Sequence, residues 1–483
     1  MRFKTIFRIL GVFLVVFSFT MLPPILLAEW YDDSSPAPFW GAFALTLGTG
    51  LLLNLLCRGA RRELKTRDGF LVVTLFWLVL CVYGALPFMI SKAPHETFTD
   101  AMFEAVSGLT TTGATVTPGV DYLPHAVRYY RQQLQLLGGM GIIVLAIAVL
   151  PMLGIGGMQL YRAETPGPVK DSKLTPRITE TAKALWYIYV GLIICCCLAY
   201  WAAGMNFFDA VGESFATVST GGFTMHDASF AYYKNPTIEI IGMIFMILGA
   251  TNFGLHFYAL QQQSVRNYWD DLEFKAFAIT LLMSSLLVIA IILPHHIYSS
   301  TTETVIKASF NVVSMATTTG FISSPFASWP TFLPVFVCLL AIIGGCGAST
   351  SGGVKMIRLL LLQKQGMREI NRLIHPHAVV ALKFGDQSLP DNVLQAMWGF
   401  IAIFIGVFIV LVLAVMATGL DLTTAYGVVV ACLANAGQGI GTATTNFVEL
   451  SQTCKWLLIF AMLAGRLEIF TVLVLFTPTF WRS

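Results

Sequence analysis

The chain of 483 residues is 56% hydrophobic and only 11% charged. Ordinary soluble domains carry about 25% charged residues, so a disordered chain, a nucleic-acid binder and an ordinary soluble protein are all excluded. With 29 Lys+Arg against 26 Asp+Glu the net charge is +3, which points to no polyanionic partner, and the solvent of this surface is membrane lipid.

A helix crossing a ~30 Å hydrocarbon core needs roughly 20 apolar residues. Ten runs meet this, near 5–27, 38–57, 69–91, 129–152, 183–203, 237–262, 275–295, 331–362, 395–418 and 454–478. The first is flanked by Arg2, Lys4 and Arg8 and has no A-x-A cleavage site, so it reads as a retained helix, not a signal peptide. Basic residues then collect on alternate connections: Arg58, Arg61, Arg62, Lys65 and Arg67; Arg162, Lys170, Lys173 and Arg177; Arg266 and Lys275; and Lys364, Arg368, Arg372 and Lys383. The opposite connections are poor in them, and 28–37 holds Glu29, Asp32 and Asp33 with no Lys or Arg. Lys and Arg mark the cytoplasmic side, which predicts that both termini are cytoplasmic. The nine cysteines, with Cys195, Cys196 and Cys197 consecutive, show neither a disulfide framework nor zinc-ligand spacing and read as small buried hydrophobes.

Four of the external connections contain an apolar segment too short to span, each ending in a small, glycine-bearing stretch: Thr110-Thr111-Thr112-Gly113, Ser219-Thr220-Gly221-Gly222, Thr317-Thr318-Thr319-Gly320 and Ala434-Asn435-Ala436-Gly437. Taking the last glycine of each as an anchor, twelve places back stand Ala101, Ala210, Ala308 and Ala425, and seven places back Val106, Phe215, Val313 and Val430. A common register over four segments is an internal repeat, and its unit is helix, half-helix, loop, helix. Asp100 and Asp209 precede the first alanine in two units, where a carboxylate favours a helix N-terminus. Lys307 and Thr424 take that place in the others, so the carboxylate is not required by the architecture.

Irregular backbone at membrane depth is tolerated only inside protein or beside a water-filled cavity, so four such loops predict one shared cavity. A half-helix entering from outside aims its partly negative C-terminus at the membrane centre, which favours a cation there. The loop carbonyls can then replace an ion's hydration shell.

These units resemble the Trk/Ktr/HKT superfamily of cation transporters. The two leading helices, the stretch Gln159-Leu160-Tyr161-Arg162-Ala163-Glu164 and the ending Gly465-Arg466-Leu467-Glu468-Ile469-Phe470 are similar to its bacterial TrkH branch. The resemblance implies an all-α membrane protein of ten transmembrane helices: two N-terminal helices over 1–68, then four helix–pore-loop–helix repeats over 69–181, 182–273, 274–394 and 395–483 in pseudo-fourfold arrangement. It implies potassium as the transported ion, taken up across the bacterial inner membrane through a backbone-carbonyl filter. Its candidates are Thr111, Thr112 and Gly113; Thr220, Gly221 and Gly222; Thr318, Thr319 and Gly320; and Asn435, Ala436 and Gly437. It further implies a homodimer and a cytosolic TrkA-type nucleotide-binding regulatory subunit. No organic cofactor is expected in this chain.

The eighth run is interrupted at Gly344, Gly345, Cys346, Gly347, Ala348, Ser349, Thr350, Ser351, Gly352 and Gly353, and five glycines in ten residues melt a helix. By resemblance this is an intramembrane gating loop below the filter. A Walker A loop would need Gly-Lys-Ser/Thr, whereas Val354 and Lys355 follow Gly353. Arg466 sits within the tenth run, where a charge costs about 2.5–3.5 kcal/mol on insertion scales. The resemblance makes it an electrostatic barrier in the pore beside the loop; a salt bridge to another helix is the alternative. His375-Pro376-His377 reads as a solvated cytoplasmic loop. Gly138–Gly141 and Gly154–Gly157 do not follow strands, so a dinucleotide site is not expected. No nucleophile–base set supports an enzyme. A secondary transporter with inverted repeats is disfavoured because two spanning helices separate consecutive loops, which gives every unit the same polarity. Channel-like flux and proton- or sodium-coupled symport both remain compatible with these residues.

Overall fold

The computed structural model describes residues 3–59, 66–144, 178–375, 383–384, 387–388, 391–444 and 446–482. Several residues used above lie outside these: Arg61, Arg62 and Lys65; the basic connection carrying Arg162, Lys170, Lys173 and Arg177; Gln159–Glu164; Gly154–Gly157; and Pro376 and His377. The regular secondary structure of the described residues is helical apart from a ribbon of two short antiparallel strands, β1 (Lys383–Phe384) and β2 (Gln387–Ser388).

Two leading hairpin arms come first, α1 (Phe3–Ser18) running through a 3-10 turn into α2 (Leu22–Tyr31), and α3 (Ala37–Leu56). They cross where Gly11 and Gly50 face one another: a Cβ on either would lie 2.9 Å from the other's carbonyl oxygen. Lipid offers no hydrophobic drive between helices, so close approach of small residues supplies their contact. Among the described residues six stretches are long and apolar enough to span unbroken: Phe3–Tyr31, Ala37–Leu56, Arg67–Ile90, Ala182–Ala202, Leu272–His295 and Val393–Met416. They belong to α1 with α2, α3, α4 (Thr66–Ile90), α7 (Ile178–Ala202), α12 (Leu272–Ile292) and α16 (Asp391–Met416).

The sixth and tenth apolar runs are not continuous helices. The sixth is α9 (Pro236–Gly249) and α10 (Phe253–Gln262) with a 96° bend, and the tenth is α18 (Gln452–Arg466) followed after a 111° bend by Phe470–Phe476, which opens with α19 (Phe470–Leu473). The break at 250–252 has a cause. Asn252 caps α10 by accepting from the Gly254 N–H, and the freed backbone is re-used: the Cys346 N–H donates to the Ala250 carbonyl at 2.9 Å and the Phe253 N–H to the Ala348 carbonyl at 3.2 Å. The eighth run divides, as its glycines predict, into α14 (Leu333–Ile343) and α15 (Met356–Ile374). Lys364, Arg368 and Arg372 therefore ride on a helix, where the sequence suggested a loop, because the amphipathic pattern of α15 continues through them.

Four short helices, α5 (Phe98–Leu109), α8 (Phe207–Val218), α13 (Thr301–Ala316) and α17 (Leu422–Leu433), enter the protein between spanning helices. At 1.5 Å per residue, those of 12 residues reach only about 18 Å. Thr97, Asn206, Ser300 and Asp421 cap them, each side chain accepting a backbone N–H of the first turn. Two apolar clusters surround them. One joins α1–α6, with α6 at His125–Val144, to α16–α18. The other is built on α7–α10 and α12–α14 and is joined by Val430, Ala434, Ala436 and Ile440 of the fourth unit, so the clusters meet along the four short helices. Large apolar side chains such as Leu55, Trp201, Ile279 and Val410 stay exposed on the outside, as lipid requires.

Candidate functional site

The four short helices end identically. The N–H groups of Thr112, Gly221, Thr319 and Ala436 each donate at 2.8 Å to the carbonyls of Ser107, Ala216, Ser314 and Ala431. The residue before each donor is left-handed, with φ of 49° at Thr111, 50° at Thr220, 57° at Thr318 and 54° at Asn435. This closure ties up carbonyls left open by the helix end and turns the chain into an irregular path. The anchors follow with φ of 84° at Gly113 and Gly222, 81° at Gly320 and 72° at Gly437, a region that glycine enters without strain.

The loops then interlock. A Cβ on Gly113 would strike the Gly221 carbonyl oxygen, one on Gly222 that of Thr319, one on Gly320 that of Ala436, and one on Gly437 that of Thr112. Each contact leads to the next loop in chain order and the last returns to the first, so the loops close a ring. All twelve candidate residues are buried in it, and none carries a charged side chain.

The glycine-rich segment of the eighth run lies against this ring. The Gly352 N–H donates to Thr318 Oγ1 at 2.6 Å, Thr220 Oγ1 donates to Thr350 Oγ1 at 3.2 Å, and Thr350 Oγ1 lies 2.9 Å from the Gly249 carbonyl. Both limbs are gathered by Glu273 of α12, whose Oε1 accepts the Gly347 N–H at 2.7 Å and the Ile357 N–H at 3.0 Å. Arg466 Nη1 donates to the Thr350 carbonyl at 2.8 Å. Arg466 thus bonds a carbonyl of this segment, and the neighbouring Glu468 pairs with Arg358 at 2.8 Å.

The TrkH family of cation transport proteins matches residues 38–483. The chain belongs to the TrkH family. It is 53% identical to the Trk system potassium uptake protein TrkH of Escherichia coli K12 and 52% identical to that of Halomonas elongata, with 100% of each chain covered. The structure is similar to the crystal structure of the potassium transporter TrkH from Vibrio parahaemolyticus, with a TM-score of 0.93, 48% identity and 100% of both chains covered. The resemblance read from the motifs and the all-helical, multi-pass membrane fold therefore hold.

Other residues shape the ring of this TrkH-family chain and were not singled out in the sequence. Gln135 on α6 holds the second loop by both ends of its amide, donating to the Gly221 carbonyl at 2.6 Å and accepting the Phe223 N–H at 3.1 Å. Arg131 beside it is buried, pairs with Glu104 at 2.8 Å and lies 4.4 Å from the Phe223 ring centroid. Their signal was visible as Arg131-Gln132-Gln133 and Gln135 within a spanning run, where polar groups are rare and functional. Gly138, Gly249 and Gly465 pack on the carbonyls of Leu109, Val218 and Leu433, the last turn of three short helices.

Charged residues brace the outer ends. Lys455 of α18 donates to Asp100 at 2.7 Å, joining the fourth unit to the first. Lys307, whose sign is reversed relative to Asp100, meets Glu239 of α9 and joins the second unit to the third. Glu239 and Lys455 each stand in the fourth position of their helices, so the pair is conserved in geometry with its charges exchanged. At the mouth, His226 bonds Asp121 through Nδ1 and Asp209 through Nε2, the latter at 3.2 Å, and Asp227 accepts the Val120 N–H at 2.9 Å.

Proposed function

We propose that this chain takes up potassium across the bacterial inner membrane through the ring of four loops. The observation that carries the reading is ring closure: four half-helices converge, and each anchor glycine leaves room only for its neighbour's carbonyl. Thr111, Thr112, Gly113, Thr220, Gly221, Gly222, Thr318, Thr319, Gly320, Asn435, Ala436 and Gly437 supply backbone oxygens that stand in for water around a dehydrated cation. The partly negative C-termini of α5, α8, α13 and α17 add to the attraction. Asn435 and Ala436 break the hydroxyl pattern but leave the peptide oxygens in place. The names of the relatives, potassium uptake proteins of Trk systems, favour potassium over other alkali cations.

Residues 344–353 act as the gate. They bond the ring's inner side and are fastened by Glu273 and Arg466, so opening requires these bonds to exchange. Arg466 also places a positive charge beside the path, which opposes cation leak. The chain works as a transporter, not an enzyme, with both termini cytoplasmic. It functions as a homodimer under a cytosolic TrkA-type subunit that binds nucleotide.

The test is tracer uptake into vesicles reconstituted with the purified chain under imposed potassium, sodium and proton gradients. Uptake driven by a potassium gradient, saturable by potassium and weakly competed by sodium is expected. Equal competition by sodium, or no uptake with the chain correctly inserted, refutes the reading. The same vesicles with and without the partner and nucleotide test the regulation.

A further inference from the structure

Beyond the inner closure shared by all four loops, a side-chain acceptor nine places before the anchor holds the outer limb of three. Nine places before the anchors stand Glu104, Glu213, Asn311 and Val428, and three places after them Val116, Met225, Ser323 and Ile440. Glu104 Oε2 accepts the Val116 N–H at 3.1 Å, Glu213 Oε1 the Met225 N–H at 2.8 Å, and Asn311 Oδ1 the Ser323 N–H at 3.4 Å. All three acceptors have no exposed surface, and polar groups of that burial are retained where they are bonded. In the fourth unit the Val428 side chain can accept nothing, and the tie is made elsewhere, by the Thr442 N–H donating to Thr424 Oγ1 at 3.1 Å. Gly427 comes so close to Ile440 that a Cβ would strike its backbone nitrogen, and packing replaces the bond at that place.

We propose that Glu104, Glu213 and Asn311 are positioning residues that set ion preference by fixing the width of the ring on three of its four sides. With the inner tie on the residue before each anchor and the post on the third residue after it, three loops are bracketed across the anchor glycine. A post touches no ion; it acts by preventing the carbonyls of its loop from spreading toward the shorter or longer distances that other cations favour. This inference rests on the potassium reading of the ring.

The experiment compares Glu213→Gln and Asn311→Asp, which keep an acceptor, with Glu213→Leu and Asn311→Leu, which remove it. Each full chain is reconstituted, and rubidium and sodium tracer uptake are measured in the same vesicles. Glu104 is left alone because its loss would strand the buried Arg131. The Leu variants are expected to lower the rubidium-to-sodium ratio about tenfold, and the acceptor-keeping variants to stay within about twofold of wild type. Val428→Ala, at the position without a post, should keep the wild-type ratio. A Leu variant that inserts normally and keeps the wild-type ratio overturns the proposal, as does an equal loss in Leu and acceptor-keeping variants. Were one Leu variant not to insert, the other decides by the same ratio. A wild-type ratio near one overturns the potassium reading itself, and that is read before any variant.

Discussion

Replacing Gly320 by alanine tests the ring most directly. The new Cβ would fall on the Ala436 carbonyl oxygen and lie 3.1 Å from the Ala436 carbonyl carbon. Ordinary carbon–oxygen approaches are about 3.3–3.6 Å, so the fourth loop must retreat by roughly 1 Å. The left-handed φ of 81° adds about 1–2 kcal/mol for a residue with a Cβ, and overpacking adds about 1–3 kcal/mol. The sum, about 2–5 kcal/mol, reaches at most the low end of the ~5–15 kcal/mol stability of a native fold, so the variant should insert while its ring is distorted. A matched control exists: Gly204 has φ of 97° but nothing within 4 Å of its would-be Cβ, so Gly204→Ala carries the strain without the collision. In rubidium and sodium tracer uptake, Gly320→Ala should lose at least tenfold in rubidium preference, equivalent to ~1.4 kcal/mol, and Gly204→Ala should lose none. Should Gly320→Ala retain the wild-type ratio at wild-type abundance, the ring does not select the ion.

Three further outcomes follow from particular bonds. Arg466→Gln removes a buried charge and weakens the tie to the Thr350 carbonyl, so uptake without partner or nucleotide should rise several-fold; unchanged basal uptake removes Arg466 from the gate. Exchanging the Lys307–Glu239 pair as Lys307→Glu with Glu239→Lys should restore most of the thermal stability that either single change loses, with a coupling of about 0.5–3 kcal/mol, and additive losses refute the pairing. At the mouth, burial alone would lower the His226 pKa, but hydrogen bonds to Asp209 and Asp121, with the field of Glu213, hold it above the usual histidine value; Tyr232 stacks on the imidazole and Tyr233 meets it edge-on. Burial would raise the Asp121 pKa, and bonds from His226 and the Asp227 N–H bring it below the usual carboxylate value. The histidine contribution is complete below about pH 6.5 and lost as pH rises through its raised value, whereas the Asp121 contribution is complete above about pH 4 and lost as pH falls. The melting-temperature gap between wild type and His226→Gln should therefore be widest near pH 5 to 6 and shrink above neutrality; a gap that widens with pH refutes the clasp.

Much of the site was legible because backbone geometry leaves few residue choices. A left-handed φ beside a neighbour's carbonyl admits glycine, and that requirement printed Gly113, Gly222, Gly320 and Gly437 in one register. Breaks inside apolar runs were legible only where glycine made them. The ten-residue segment at 344–353 announces itself, but the bend at 250–252 combines the Asn252 cap with bonds from that distant segment to Ala250 and from Phe253 to Ala348, and those distant bonds are contained in no local pattern. Arg466 was recognisable as costly, yet its partner is a peptide carbonyl, and a carbonyl leaves no mark in a sequence.

The side chains around the ring explain how a fourfold frame tolerates one chain's divergent repeats. What every unit keeps is a bond of backbone to backbone, the 2.8 Å closure at the helix end, which any residue can make. Side-chain ties vary as long as the joint is made: Asp100 with Lys455, Lys307 with Glu239, and the acceptors Glu104, Glu213 and Asn311 but not Val428. The fourth unit differs most in its side chains: it lacks a hydroxyl at Asn435 and Ala436 and lacks the post, while Asn435 donates to Thr112 Oγ1 at 2.9 Å and to the Met462 carbonyl at 3.0 Å, and Gly352 of the 344–353 segment packs on the Ala434 carbonyl. Residues 344–353 touch three of the four loops, bonding Thr220 and Thr318 and packing on the Ala434 carbonyl, so a shift of this segment acts on the ring through the second, third and fourth units together.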